Sequence, residues 1–149
     1  MRLVHLQDGA SDCAEAHRLL GAVREAPACG EFALWGSASG VAAALRIALQ
    51  MPERVTALVL ESPDKEPEPW MGDVQAPALV LLGTHDASAP SGLGARYKTL
   101  LPNCHLVLVY DAGRNIAADR PEAFADVVSD FLERREAFVI NRTPTRLFP

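Results

Sequence analysis

The sequence has few of the features that are typical of membrane-spanning or metal-binding proteins. None of its apolar runs approaches the roughly 20 residues that cross a bilayer. Its three cysteines, Cys13, Cys29 and Cys104, lie far apart and form neither a C-x-x-C pair nor a Cys/His metal pattern. The sequence therefore predicts reduced thiols that pack as small apolar groups, with no metal site and no cofactor.

Positive charge is also scarce. The chain has 14 Lys and Arg against 19 Asp and Glu, a formal net charge of −5, and it has no basic cluster. Such a chain is a poor candidate for binding nucleic acid or an anionic membrane, so neither partner is expected. The segment from Met1 to Leu6 is too short for a secretory signal, and we expect a cytoplasmic protein.

What the sequence does contain is the composition of a folded domain and a regular alternation of elements. Hydrophobic residues make up 49% of the chain and charged residues 22%. Short apolar runs bounded by turn signals predict five strands: Arg2–Gln7, Glu31–Trp35, Val55–Leu60, Ala78–Leu82 and His105–Tyr110. Helical spacing predicts helices over residues 11–26, 41–50, 95–101 and 121–136.

This alternation predicts an α/β domain with a parallel five-stranded sheet, flanking helices and right-handed crossovers. We assign residues 1–136 to the domain and residues 137–149 to a C-terminal tail. The tail is apolar in patches and has no helical period, so it is either a docked arm or disordered.

Three segments, in this order, resemble the α/β-hydrolase superfamily. LWGSASGVAAALRIALQMPERVTALVLESP resembles the nucleophile elbow, which reads strand, G-x-S-x-G, helix and next strand. LLGTHDASAP resembles the loop that carries the acidic triad residue, and VYDAGRNIAADRPEAFADVVSDFL resembles the histidine loop with the last helix. The resemblance implies a truncated α/β-hydrolase-like core that lacks the N-terminal strands, half of the oxyanion hole and the lid.

The resemblance places Ala38 at the nucleophile position, because Gly36 and Gly40 fill the two small-residue positions of the elbow. A methyl group cannot attack a carbonyl carbon. Ser37 and Ser39 are the only hydroxyls nearby. Neither is expected to point where the elbow directs a nucleophile, so they remain rescue candidates only.

The other two triad positions fall on Asp86 and Arg114. The family's A-G-H reads Ala112-Gly113-Arg114 here, and an arginine stays protonated and cannot act as a general base. Asp86 either forms an ion pair with Arg114 or is an unrelated surface charge. Among the histidines, His17 and His105 are expected to have surface or rim roles. His85, beside Asp86, is the one histidine that we consider for chemistry.

Two functions follow from these positions. The first is a catalytically inactive pseudo-hydrolase that acts as an interaction or small-ligand-binding module, with a small carbonyl or anionic ligand near the elbow. The alternative is an active carboxylic ester or thioester hydrolase that uses Ser37 or Ser39 with His85. A third interpretation is a gene fragment that keeps a foldable core.

The truncation also predicts a partner. If the strands follow one another in sequence order, only the last helix can cover the second face of the sheet. The strands are apolar throughout, so a large exposed sheet face is expected, with the first strand at an unpaired edge. A homodimer that buries this face or edge, or a hydrolase-like partner subunit, is predicted.

Overall fold

The computed structural model describes residues 2–6, 30–135 and 145–148 of the chain. Their strands form one six-stranded sheet in sequence order, and every neighbouring pair is parallel. The strands are β1 (Arg2–Leu6), β2 (Phe32–Ser37), β3 (Val55–Glu61), β4 (Ala78–Gly83), β5 (Cys104–Val109) and β6 (Thr145–Phe148).

Four helices connect these strands within the described ranges. They are α1 (Gly40–Gln50), α2 (Leu93–Leu100), α3 (Ile116–Asp119) and α4 (Pro121–Arg134). The long helix α4 begins with a proline at its first position, where the missing N–H costs nothing. The helix predicted over residues 11–26 lies outside the described residues. No helix that the structure describes is long and apolar enough to cross a membrane.

The predicted α/β class and the five predicted strands are confirmed, and three short elements are added. Four residues of the predicted tail form β6, which pairs with β5. The segment Pro69–Asp73 is a 3-10 helix, and the short helix α3 precedes α4. Helices of four or five residues and a strand of four residues are too short to show a period in the sequence, which is why the pattern did not predict these three.

Helices cover both faces of the sheet. On the first face, α1, α2 and the 3-10 helix bury the apolar side chains that alternate along the strands, such as Leu34 and Leu58. On the second face, α3 and α4 pack with Ile116, Phe124 and Phe131 against the sheet.

The expectation of an exposed second face is wrong for β2 to β5, whereas Leu3 on β1, in register with the second-face residue Ala33, is 38% exposed. The second-face residues of β2 to β5 that belong to the core are fully buried: Ala33, Ala57, Val59, Leu79, Leu81, Val107 and Val109. The reason is that α3 continues the cover given by α4, and that bulky Phe124 reaches Trp35 on β2 with ring centroids 4.8 Å apart. The argument for a partner therefore no longer rests on a bare face.

Candidate functional site

A sharp turn joins β2 to α1, and Ala38 lies at its apex. Ala38 has a φ of 52°, a left-handed conformation that residues with a side chain adopt rarely. A Cβ on Gly36 would lie 2.6 Å from the carbonyl oxygen of Gly40, and a Cβ on Gly40 would overlap the carbonyl of Leu6. The turn thus has the geometry of a nucleophile elbow, with a methyl group at its apex.

Alternation along the strands brings His5, Trp35 and Ser37 to one face. His5 pairs in register with Trp35, and their rings stack at 3.5 Å between centroids. Ser37 follows Trp35 by two residues, so it points the same way. Its Oγ lies 3.0 Å from His5 Nε2 and 3.5 Å from the carbonyl oxygen of Leu6. Partial burial lowers the pKa of His5, which favours a neutral imidazole.

Glu61 ends β3 in register with Ser37 and is almost fully buried. Trp35 Nε1 donates to its Oε1 at 3.0 Å, and the Ala117 N–H donates to its Oε2 at 3.1 Å. Desolvation raises the pKa of Glu61, although these hydrogen bonds oppose the shift. The carboxyl group therefore joins β2, β3 and α3 beneath the site.

Arg114 occupies the position that the resemblance assigns to the triad histidine. Its backbone is fixed, because the buried Ser62 hydroxyl donates to the Arg114 carbonyl oxygen at 2.6 Å. Its guanidinium makes longer contacts, at 3.4 Å from Nη1 to Ser88 Oγ and 4.0 Å from Nη2 to Asp64 Oδ2. Arg114, whose planar cationic side chain is half exposed, therefore lines the same cavity as Ala38.

The predicted direct ion pair between Asp86 and Arg114 is not formed among the residues that the structure describes. Asp86 Oδ1 instead accepts from the backbone N–H and the hydroxyl of Ser88, at 3.0 and 2.6 Å. Since the same hydroxyl accepts the contact from Arg114, Ser88 links the two residues. Asp86 turns towards its own loop because its nearest donors are two residues away in sequence.

The structure does not join the serines to His85 as the alternative function required. His85 Nδ1 lies 3.4 Å from Asp111 Oδ1, and both side chains are exposed. Ser39 precedes α1 and lines a separate cavity of about 30 Å³ beside Asp64 and Tyr97. Ser37 contacts an imidazole, and that imidazole is His5 and not His85.

A cavity of about 600 Å³ lies beside the turn that carries Ala38, and we name it the elbow cavity. This volume lies in the range of pockets that hold small molecules. Its lining residues are His5, Trp35, Ser37, Ala38, Glu61, Arg114, Asn115, Ala117 and Ala118. In the parts of the chain that the structure describes, no group of three or more His, Cys, Asp or Glu could hold a metal ion.

Sequence reasoning did not identify His5, Trp35 and Glu61 as site residues. A signal existed for Glu61, because a carboxyl group that directly follows the apolar run Val55–Leu60 is unusual in a buried strand. For His5 the signal was weaker. Its position depends on the register of β1 against β2, which the sequence does not reveal.

Comparison with known proteins identifies the fold. No protein-family model and no curated protein sequence matches the chain significantly. Solved structures do match, among them a predicted CIB-like hydrolase from Thermoplasma acidophilum, with a TM-score of 0.73 and 21% identity over 83% of this chain. Two from Bacillus subtilis are carboxylesterase CesB, with a TM-score of 0.67 and 16% identity over 80%, and naproxen esterase, with 0.71 and 14% over 84%.

These likenesses confirm the α/β-hydrolase fold that the sequence resemblance predicted. The chain spans only part of each of these structures: 61% of the Thermoplasma hydrolase, 66% of CesB and 68% of naproxen esterase. At such low identity the shared feature is the fold, and function has to be argued from the residues of the site.

Proposed function

We propose that this chain, which has the α/β-hydrolase fold, is a catalytically inactive protein that binds a small ligand in the elbow cavity. The observation that carries the proposal is Ala38, whose methyl group occupies the strained apex of the elbow. The residue is buried to 4% exposure and lines the cavity, so no other side chain takes the apex position.

The surrounding residues support binding rather than hydrolysis. Arg114 stands at the histidine position and cannot accept a proton from a nucleophile. Asp86, which the resemblance assigns to orienting a histidine, is engaged by Ser88 instead. The elbow, the cavity and the strained turn nevertheless persist, and these are the parts that a binding site needs.

A fluorophosphonate probe followed by mass mapping tests the absence of an elbow nucleophile. We expect the wild-type chain to remain unlabelled, because Ala38 offers no hydroxyl at the apex. The double variant Ala38→Ser/Arg114→His is the positive control, since it places a hydroxyl and an imidazole at the two positions. Labelling of that variant at position 38 would show that the probe reaches the apex. Labelling of the wild-type chain contradicts the proposal.

A second candidate function is supported by one contact. Ser37 Oγ lies 3.0 Å from His5 Nε2, which is the reach of a general base to a hydroxyl. The alternative is then an ester or thioester hydrolase that uses Ser37 with His5. It places the nucleophile at the end of β2, one residue before the strained apex.

The same labelling experiment separates the two functions. Wild-type labelling that maps to Ser37 and disappears in both Ser37→Ala and His5→Gln favours the hydrolase. Ser91→Ala is a matched control, because it removes an exposed hydroxyl that does not line the elbow cavity. If the probe reacts with neither Ser37 nor Ser39 while the double variant reacts, the inactive module stands.

A further inference from the structure

The elbow cavity has one permanent cation among its described lining residues, the guanidinium of Arg114. The imidazole of His5 does not add a second one near neutral pH, because burial lowers its pKa. The remaining polar groups of the lining are the hydroxyl of Ser37, the carboxyl of Glu61 and the amide of Asn115. The site therefore presents one positive charge.

The contacts of Arg114 leave its side chain weakly held. Two other arginines show what a formed ion pair looks like in this chain: Arg96 reaches Glu66 with two bonds of 2.6 Å, and Arg134 reaches Asp130 at 2.8 Å. The guanidinium of Arg114 has only the 3.4 and 4.0 Å contacts to Ser88 and Asp64. An arginine has five N–H donors in a planar fork, so much of this capacity is left for a ligand.

The backbone of Arg114, by contrast, is rigidly placed. Ser62 lies directly after β3, is 2% exposed, and donates a 2.6 Å hydrogen bond to the Arg114 carbonyl oxygen. Asp119 accepts from the N–H of the neighbouring Gly113 at 2.9 Å. The loop thus holds the backbone of Arg114 in place and leaves donors of its guanidinium for a ligand, an arrangement suited to binding an anion.

We propose that the elbow cavity binds a small monocarboxylate, with its carboxylate on the guanidinium of Arg114 and its apolar part against the cavity wall. This inference rests on the proposed ligand-binding function and names its ligand class. The planar fork of arginine matches a carboxylate in a bidentate geometry. The methyl groups of Ala38, Ala117 and Ala118, with the Trp35 ring, supply apolar surface.

The charges of the site select a monoanion over other ligands. A phosphate dianion needs more than one cation, and Arg114 is the one permanent cation among the described lining residues. An amine is disfavoured by Arg114. Glu61 is also a poor ligand for an amine, because it is buried and both of its oxygens already accept hydrogen bonds from Trp35 and Ala117.

The test compares three compounds of six carbons each, hexanoate, hexanamide and hexylamine, with inorganic phosphate as a fourth probe. Binding is read from the indole N–H signals in two-dimensional NMR of the full chain. Trp35 lines the cavity and Trp70 does not, so Trp70 is an internal control. We expect hexanoate to shift the Trp35 signal with an affinity about tenfold or more above that of hexanamide.

Variants assign the binding to Arg114. In Arg114→Gln the preference for hexanoate over hexanamide is expected to vanish, and in Arg114→Lys part of the preference is expected to return. Arg134→Gln is the matched control, since it removes an arginine of α4 that does not line the cavity. It is expected to bind as the wild type does.

Each outcome bears on a different claim. Equal binding of hexanoate and hexanamide, or a hexanoate preference that survives in Arg114→Gln, overturns the carboxylate inference and leaves the ligand-binding function in place. Preferential binding of hexylamine or of phosphate also overturns it. If none of the compounds moves the Trp35 signal, the inference and the proposed ligand-binding function both fail.

Discussion

Glu61 shows how one residue couples the core of the molecule to its site. The strand pattern places it among apolar second-face neighbours, where a carboxyl group loses its hydration. Two N–H donors, from Trp35 and Ala117, compensate in part, and the net effect is a raised pKa. The same two bonds hold the wall of the elbow cavity, because both donors belong to residues that line it.

The raised pKa predicts a pH dependence of stability. A group whose pKa is higher in the folded state stabilises the fold below its unfolded pKa, and this contribution is lost as the pH rises through the folded pKa. The unfolded reference for Glu61 is 4.5. We therefore expect the wild-type chain to lose stability relative to Glu61→Gln as the pH rises from about 4 to about 7.

Urea unfolding of both proteins at several pH values measures this difference. Glu53→Gln is a suitable control, because Glu53 is exposed on the turn before β3. Its stability difference from the wild type is expected to change less with pH. A wild-type chain that gains stability over Glu61→Gln across the same pH range would show that Glu61 is preferentially charged in the folded state.

At the scale of elements, the packing of β1, β2 and α1 depends on two glycines. Gly40 opens α1 directly behind the strand β1, and an added Cβ would overlap the backbone carbonyl of Leu6. Backbone cannot rotate away as a flexible side chain can, so the elements have to separate. The close approach at Gly40 is therefore what allows the elbow to lie against β1 and His5.

This contact predicts a large effect from a small substitution. We expect Gly40→Ala to lower the free energy of unfolding by about 3 kcal/mol. Gly72→Ala, in the 3-10 helix, is the control, because the atom nearest to its Cβ would be the side-chain Cδ1 of Leu100 at 3.3 Å and the carbonyl oxygen of Leu100 would be 3.6 Å away. Its cost is expected to stay below about 1 kcal/mol. Equal urea midpoints for the two variants would contradict the close-approach argument.

The long elements could be predicted from sequence, whereas the contacts between them could not. Apolar runs and turn residues placed β2 to β5 and α4 to within a few residues, because burial on both faces leaves a continuous hydrophobic run. The elbow followed from Gly36 and Gly40, since only glycine fits both positions.

The composition of the site depends on register and on side-chain choice, which one sequence does not determine. From the sequence, His85 is the candidate base for Ser37, because it lies beside Asp86 on a loop at the edge of the sheet that carries the site. The register of β1 against β2 instead brings His5 to it. The direct Asp86–Arg114 pair failed for a similar reason, because Ser88, two residues from Asp86, offers a closer donor.

At the scale of the whole molecule, the sheet has helices on both faces, and β1 and β6 are the outermost of its described strands. β1 ends the strand order and has one strand neighbour, β2, among the described strands. Edge strands present unpaired N–H and C=O groups that can pair with another chain. Of the two surfaces that the sequence suggests for a homodimer, the bare face and the edge of the first strand, this edge is the one that we retain.

We predict that two copies associate through β1, antiparallel about a two-fold axis, so that the two sheets become continuous. Leu3 on β1 is 38% exposed, and Leu49 on α1 is a matched residue at 36%. Light scattering should then give the mass of a dimer for the wild type and for Leu49→Lys. It should give a monomer for Leu3→Lys, because a charged residue blocks edge pairing.

A wild-type chain that is monomeric at low micromolar concentration with an intact near-ultraviolet signal contradicts the homodimer and leaves a separate hydrolase-like subunit as the partner to seek. A dimer that persists in Leu3→Lys would place the interface away from β1.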